Sequence, residues 1–156
     1  MLNPTDLVHG LQDMRDQGYL SDALLRHAVR TIAGSDDRFD WVGAFLLRED
    51  GVTLWLHDYV GAPAEYAEVP VGVGVAGAAV SAKENRTVGD VTKVDDYHPC
   101  SPEIQSELVV LIRAGDQVFG GLDLGSEQPS VFTAADESAV EAIAEKLAEQ
   151  LVAERR

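Results

Sequence analysis

The sequence has 156 residues, the length of one ordinary domain, and 27 Asp and Glu against 12 Lys and Arg give it a net charge of −15. So acidic a chain repels phosphate backbones and anionic bilayers, and no apolar run approaches the roughly 18 residues of a membrane helix, so neither nucleic acid nor membrane is an expected partner. The single cysteine excludes a disulfide within the chain, and with no signal peptide at the N-terminus the expected location is cytoplasmic.

Two helices are predicted in the first 34 residues. Gly18 separates them, Ser21 is the expected N-cap of the second, and Gly34 with the polar residues after it ends that helix. The apolar positions expected to face the core are Leu7, Val8, Leu11 and Met14 in the first helix and Leu24, Leu25, Val29 and Ile32 in the second.

The middle of the chain is predicted to form two β-hairpins. Turn residues at 49–51 and 114–117 separate the strands of each hairpin. A short helix at about 76–83 and a polar loop at 90–102 lie between the hairpins. The predicted strands are 41–47, 52–59, 87–88, 108–113 and 118–124.

A long helix is predicted to end the chain. Thr133 and Asp136 form a capping box at its start, and the apolar residues Val140, Ile143, Ala144, Leu147 and Leu151 then recur at helical spacing. Antiparallel hairpins between terminal helices indicate one α+β domain over residues 1–156, with helices on one sheet face and a ligand loop on the other. Because Leu147 and Leu151 continue the apolar stripe so far, a homodimer through the terminal helices is expected.

Residues 72–77 match the dinucleotide-binding pattern G-x-G-x-x-G, but their context does not fit it. The unit follows helices and a hairpin, no acidic residue ends a strand roughly 20 residues later, and the flanking strands are predicted to be antiparallel. A tight strand-to-helix turn is therefore the favoured interpretation over a nucleotide site. Free N–H groups at the helix start could still hold a ligand carboxylate.

Cys100 lies in the polar loop, two residues after His98. A thiol is nucleophilic as thiolate, which a nearby cation such as a protonated histidine favours. A small buried thiol with a structural role is the equally open alternative. No second pair of ligands stands at a metal-binding spacing, so no metal site is expected.

Glu107 and Asp123 stand in otherwise apolar predicted strands. A carboxylate buried in a strand is costly unless a cation pairs with it. Two such carboxylates on neighbouring strands suit the ammonium group of a ligand. The alternative is a structural salt bridge to Arg86 or Arg113.

These segments together resemble the GAF domain family and, within it, the free methionine-(R)-sulfoxide reductases. The likeness extends over residues 41–132, with Cys100 and Glu107 at the family spacing. Residues 41–45 are similar to the family's Trp-x-Gly-Phe-Tyr strand, residues 69–77 to its Ile-Pro-Val-Gly-x-Gly-Val-Cys-Gly segment, and residues 121–126 to its Asp-Ile-Asp strand.

The resemblance implies a GAF-type fold and a set of roles. Cys100 would attack the sulfoxide sulfur, Glu107 and Asp123 would bind the substrate ammonium and help to protonate the sulfoxide oxygen, and Trp41 would form the wall at the methyl-sulfur end. No cofactor is implied. The residues expected to bind substrate are Trp41, Phe45, Tyr59, Tyr66, Val75, Ala76, Asp90, Tyr97 and Gly125.

The chain departs from the family pattern at four of these positions. Ala76 replaces the resolving cysteine, Tyr66 an additional cysteine, Gly125 the second carboxylate of Asp-Ile-Asp, and Phe45 a tyrosine. One expected function is a one-cysteine reductase of free methionine sulfoxide, regenerated by an external thiol. The other is a GAF module that binds a small ligand without chemistry.

Overall fold

A computed structural model describes residues 1–95, 97, 99 and 101–155. The strands in these residues are β1 Trp41–Leu47, β2 Thr53–Val60, β3 Glu68–Pro70, β4 Arg86–Val88, β5 Ser106–Ala114 and β6 Gln117–Ser126. They form one antiparallel sheet in the order β3-β2-β1-β6-β5-β4. The helices are α1 Pro4–Asp16, α2 Ser21–Gly34, α3 Gly74–Ala82 and α4 Ala134–Glu154, and a 3₁₀ turn spans Val91–Lys93.

The sheet is apolar on both faces, and each face packs against different helices. Successive side chains of a strand point to opposite faces. Val42, Leu108 and Leu122 therefore face the core that α1, α2 and α4 cover. Trp41 and Val109 face the other way, into a second cluster that includes α3. This arrangement confirms the predicted α+β fold, with the terminal helices on one face and the ligand side on the other.

Both predicted hairpins are present. The strands β5 and β6 extend one or two residues beyond their predicted ends, and β2 begins and ends one residue later than predicted. The second hairpin pairs Ala114 with Gln117, and Gly115 has a positive φ of 58° in the two-residue turn between them. The edge strand β3 was not predicted from the sequence. It has three residues and ends in proline, so it is too short to show a strand periodicity.

The predicted N-cap of α2 was wrong. Leu20 is the N-cap, and Ser21 is the first helical residue. The Ser21 backbone N–H and hydroxyl both donate to the Glu154 carboxylate, each at 2.7 Å. A tertiary contact with the end of α4 thus replaces the local capping bond that serine side chains form elsewhere.

The last helix starts as predicted, at a capping box of Thr133 and Asp136. Leu147 and Leu151 are buried in the chain's own core at 1% and 6% exposure. They are consequently not part of an open apolar stripe, which removes the sequence basis for a homodimer. Within the described part of the chain, no helix has the length and apolar character of a membrane span.

The glycine-rich segment forms a tight turn from β3 into α3, as favoured above. Gly72 has a positive φ of 94°, and its N–H donates to the Gly77 carbonyl at 2.8 Å. A methyl group on Gly77 would lie 2.5 Å from the Pro70 carbonyl oxygen, so this packing needs glycine. The segment enters a short helix beside an antiparallel sheet, which is not a dinucleotide-binding context.

Candidate functional site

A narrow cleft lies between the second sheet face and the start of α3. The volume open to the centre of a water molecule is about 10 Å³, which is room for about one water. The cleft is lined by Trp41, Phe45, Tyr66, Val69, Val73, Gly74, Val75, Ala76, Pro99, Glu107 and Asp123. Seven of these residues were predicted from the sequence as catalytic or substrate-binding.

Two neighbouring strands bring Glu107 and Asp123 together at the floor of the cleft. Glu107 pairs with Gly125 across the β5–β6 ladder, and Asp123 pairs with Val109, so the two carboxyls are diagonal neighbours. Their exposed fractions are 2% and 3%. The two carboxyls lie within hydrogen-bonding reach of each other, and a hydrogen bond between them requires that one of them carry a proton.

Burial is the main cause of the raised pKa values of the two carboxyls. Loss of hydration raises the pKa of Glu107 well above its usual value, and the nearby Asp123 charge raises it further. Burial also raises the pKa of Asp123 to about 6, against the opposing effect of its hydrogen bond with Glu107. Near neutral pH the pair therefore holds one proton and one negative charge, and the stronger rise in the pKa of Glu107 favours the proton on that carboxyl.

That negative charge has no cationic partner among the residues whose placement is known. Arg113 donates to the backbone carbonyls of Lys83 and Gly115 instead, at 2.7 and 2.8 Å. Arg86 is exposed in β4, and no arginine among the described residues acts on the charge of either carboxyl. The salt-bridge alternative is thus not supported. In the described structure, Asp123 Oδ1 is buried without a hydrogen-bond partner, which makes it an acceptor available to a ligand.

Trp41 forms the aromatic wall of the cleft, and its position is fixed from several sides. Its indole N–H donates to the Ala62 carbonyl at 3.2 Å, and its ring stacks on Tyr59 with centroids 5.4 Å apart. The ring lies over Gly43, where a methyl group would be only 2.5 Å from Cη2. Gly43 pairs with Asp123 in the ladder, so the ring lies beside the carboxyl pair.

The other predicted site residues take different positions. Tyr97 reaches the carboxyl pair, and its phenol donates to Glu107 Oε1 at 3.2 Å. Tyr59 supports Trp41 from outside the set of cleft-lining residues. Gly125 is buried in β6, opposite Glu107 and Trp41. Asp90 accepts hydrogen bonds from the Thr92 N–H and hydroxyl and so caps the 3₁₀ turn, away from the cleft lining.

Cys100 and His98 lie outside the described residues, so the nucleophile remains a prediction from the sequence. Four cleft residues were not predicted, namely Val69, Val73, Gly74 and Pro99. Val69 belongs to β3, whereas Val73 and Gly74 belong to the glycine-rich segment at 72–77, whose small residues let the start of α3 approach the sheet closely. That requirement for close approach is the signal that could have identified them.

The start of α3 adds hydrogen-bond donors to the cleft. The first backbone N–H groups of a helix have no partner within the helix, and Gly74, Val75 and Ala76 line the cleft there. Such a helix start favours anions. The described part of the chain holds no cluster of three His, Cys, Asp or Glu side chains that could bind a metal.

Comparison with known proteins gives a consistent assignment. Protein YtsP of Bacillus subtilis is 29% identical over 131 residues, 84% of this chain and 76% of that protein. The free methionine-R-sulfoxide reductase of Escherichia coli is 32% identical over 108 residues, 69% of this chain but only 64% of that protein. The structure of free methionine-R-sulfoxide reductase from Neisseria meningitidis in complex with its substrate superposes with a TM-score of 0.87 at 25% identity, over 97% of this chain and 90% of that chain. The GAF domain family matches residues 19–151, and the chain therefore belongs to the GAF domain family.

Proposed function

We propose that this protein reduces free methionine-(R)-sulfoxide to methionine, with Cys100 as nucleophile and an external thiol as reductant. The observation that carries the proposal is the buried pair of Glu107 and Asp123 beside the wall of Trp41. Two relatives named free methionine-R-sulfoxide reductases, one of them solved with its substrate, support the same reaction.

The carboxyl pair suits two groups of the substrate, the ammonium group and the sulfoxide oxygen. A single negative charge on the pair attracts the ammonium group of a free amino acid, which can donate to the unpartnered Asp123 Oδ1. The proton held by Glu107 is available for the sulfoxide oxygen, because the raised pKa keeps this carboxyl protonated near neutral pH.

The remaining groups of the substrate match the other walls of the cleft. The α-carboxylate would bind the N–H groups at the start of α3, near Gly74 and Val75. The methyl-sulfur end would pack on the indole of Trp41, because an aromatic ring makes favourable contacts with a neighbouring sulfur atom. The cleft admits about one water as it stands, so the walls must separate for substrate to enter.

In the proposed reaction, one Cys100 thiol takes up one oxygen atom per turnover, and two external thiols restore it. The Cys100 thiolate forms a bond to the sulfoxide sulfur while Glu107 protonates the oxygen. Transfer of that hydroxyl to the cysteine sulfur releases methionine and leaves a sulfenic acid, so the substrate sulfur is reduced and Cys100 is oxidised. Two external thiols then reduce the sulfenic acid, with release of water and a disulfide.

The external thiol is required by what the chain contains. Ala76 lines the cleft with a methyl group at the position that the family resemblance assigns to a resolving cysteine. Cys100 is the only cysteine of the sequence, so no internal disulfide can form.

A non-catalytic role is the second candidate, because Gly125 offers no carboxylate opposite Glu107. In this case the cleft would bind a small amino acid or related molecule as a sensor module, and Cys100 would take no part. The two candidates differ in whether the ligand is consumed.

Steady-state assays with the two sulfoxide epimers test the proposal. With dithiothreitol as reductant, the wild type is expected to convert free methionine-(R)-sulfoxide and to leave the S epimer unchanged. Cys100→Ser should lose the activity and still bind methionine in calorimetry, which shows that its cleft is intact. Binding of methionine by the wild type without turnover of either epimer would contradict the reductase and favour the sensor.

A further inference from the structure

Tyr97 makes a direct contact with the acid that the proposed reaction uses. Its phenol donates a hydrogen bond to Glu107 Oε1 at 3.2 Å, and its ring packs against the apolar cluster of the cleft face. Glu107 also lies within hydrogen-bonding reach of the Asp123 carboxyl. The carboxyl of Glu107 is thereby held by two partners, one from the polar loop and one from β6.

These two contacts restrict how the carboxyl can turn. Burial removes the hydration of a carboxyl, and only hydrogen bonds within the protein compensate for that loss. A buried carboxyl therefore turns toward the hydrogen-bond donors within its reach. With Tyr97 on one oxygen and Asp123 sharing the proton, one orientation satisfies both hydrogen bonds. In that orientation, Asp123 Oδ1 remains the acceptor available to a ligand among the described atoms of the pair.

We propose that Tyr97 is a positioning residue, whose phenol holds the Glu107 carboxyl in the orientation in which it bonds Asp123 and presents its proton to the ligand. The second half of this inference rests on the proposed reductase activity. The first half concerns the protein alone and can be tested without substrate.

The Tyr97 hydrogen bond has a defined effect on the proton of Glu107. A donor to a carboxylate favours the ionised form, so this bond lowers the pKa of Glu107 while burial and Asp123 raise it. Among the described residues, Asp123 faces Glu107 from β6 and Tyr97 from the loop, and Tyr66 is a further titratable side chain in the cleft lining. The α3 segment carries no titratable side chain.

Titration of Glu107 by carbon-13 carboxyl NMR tests the positioning role. Tyr97→Phe keeps the ring and removes the donor, so the Glu107 midpoint is expected to rise by about one pH unit. Glu107→Gln identifies the resonance, and Tyr19→Phe, an equivalent change at a half-exposed site between α1 and α2, should leave the midpoint unchanged. A change that merely loosened packing would admit water and lower the midpoint instead.

A second variant keeps the test decisive if Tyr97→Phe folds poorly. Fluorotyrosine at position 97 makes the phenol a stronger donor at nearly constant shape, and the Glu107 midpoint should then fall. No movement in either variant, or movement opposite in sign, would overturn the role of Tyr97.

The pH profile of kcat/KM links this role to the proposed reaction. If Glu107 supplies the proton, the alkaline limb of the profile should move to higher pH in Tyr97→Phe and stay in place in Tyr19→Phe. Failure of the wild type to reduce sulfoxide would refute the proposed function, whereas the NMR titration would still decide what Tyr97 does. An unmoved alkaline limb with a moved NMR midpoint would overturn the catalytic half of the inference.

Discussion

At the scale of single residues, the carboxyl pair combines a functional benefit with a cost in stability. Asp123 has a pKa of about 6 in the folded protein and about 4 in an unfolded chain. The folded state therefore binds more protons than the unfolded state between these two values. The contribution of Asp123 to the free energy of unfolding is fully present below pH 4 and is lost as the pH rises through about 6. The loss is roughly 3 kcal/mol at most.

Replacing Asp123 by asparagine should remove this cost. Asp123→Asn is expected to unfold at higher urea concentration than the wild type at pH 8, and to show little gain at pH 4. Catalysis and methionine binding should both fall, because the negative charge that attracts the ammonium group is gone. The measurement is the free energy of unfolding against pH for both proteins.

The effect of Asp123 is read from the difference between the wild-type and Asp123→Asn curves of unfolding free energy against pH, because the many surface carboxylates contribute equally to both. A stability gain that is the same at every pH would contradict the raised pKa of Asp123. So would a loss of stability at pH 8.

At the scale of elements, β1 positions the Trp41 ring over Gly43, a residue without a side chain. Trp41 and Gly43 are neighbours on one face of the strand, and the indole ring covers the glycine. Because Gly43 also pairs with Asp123, the ring is held directly beside the acid. A strand with any larger residue at this position could not place the ring in the same way.

Gly43→Ala is accordingly expected to displace the ring and leave the fold intact. The added methyl group would lie 2.5 Å from the indole, and forcing such a group into a packed site costs about 1–3 kcal/mol. Methionine affinity should fall about tenfold or more in calorimetry. Trp41 fluorescence, read in a Trp55→Phe background, should report a more exposed ring.

Gly34→Ala is the matched control for that change. It makes the same substitution at the end of α2, where no described atom beyond its chain neighbours and its own helix backbone lies within 4 Å of the added methyl group. Equal affinity in the two variants would show that Trp41 does not depend on the space at Gly43.

Local sequence patterns were sufficient to predict most helices and strands. The free-energy cost of burying a carboxylate was sufficient to predict Glu107 and Asp123 as site residues. Alternation and turn residues marked β1 and the hairpins, while a charged residue in an apolar strand marked Glu107 and Asp123. What the sequence could not show depends on distant contacts. The partner of Ser21 is Glu154, 133 positions away, and the pairing of β1 with β6 decides that Gly43 lies beside Asp123.

At the scale of the whole molecule, the net charge of −15 should select among external thiols. A field of this sign repels anionic reactants and is screened by salt within about 10 Å at 0.1 M. Glutathione carries a net negative charge at neutral pH, and dithiothreitol is neutral. Reduction of oxidised protein by glutathione should therefore accelerate as salt is added, while the rate with dithiothreitol stays nearly constant.

The comparison is made by stopped-flow at one pH over a range of sodium chloride concentrations. Equal salt dependence for the two thiols would indicate that the field at the reacting cysteine does not follow the net charge of the chain.

A single turnover without reductant tests the central claim most directly. One equivalent of free methionine-(R)-sulfoxide is mixed with reduced protein, the methionine released is counted by NMR, and Cys100 is examined by mass spectrometry. If Cys100 takes the oxygen from a substrate held by Glu107 and Asp123, one methionine should appear per chain, and Cys100 should carry one added oxygen or a dimedone adduct. Methionine formed with Cys100 unmodified, or no methionine formed at all, would contradict the account.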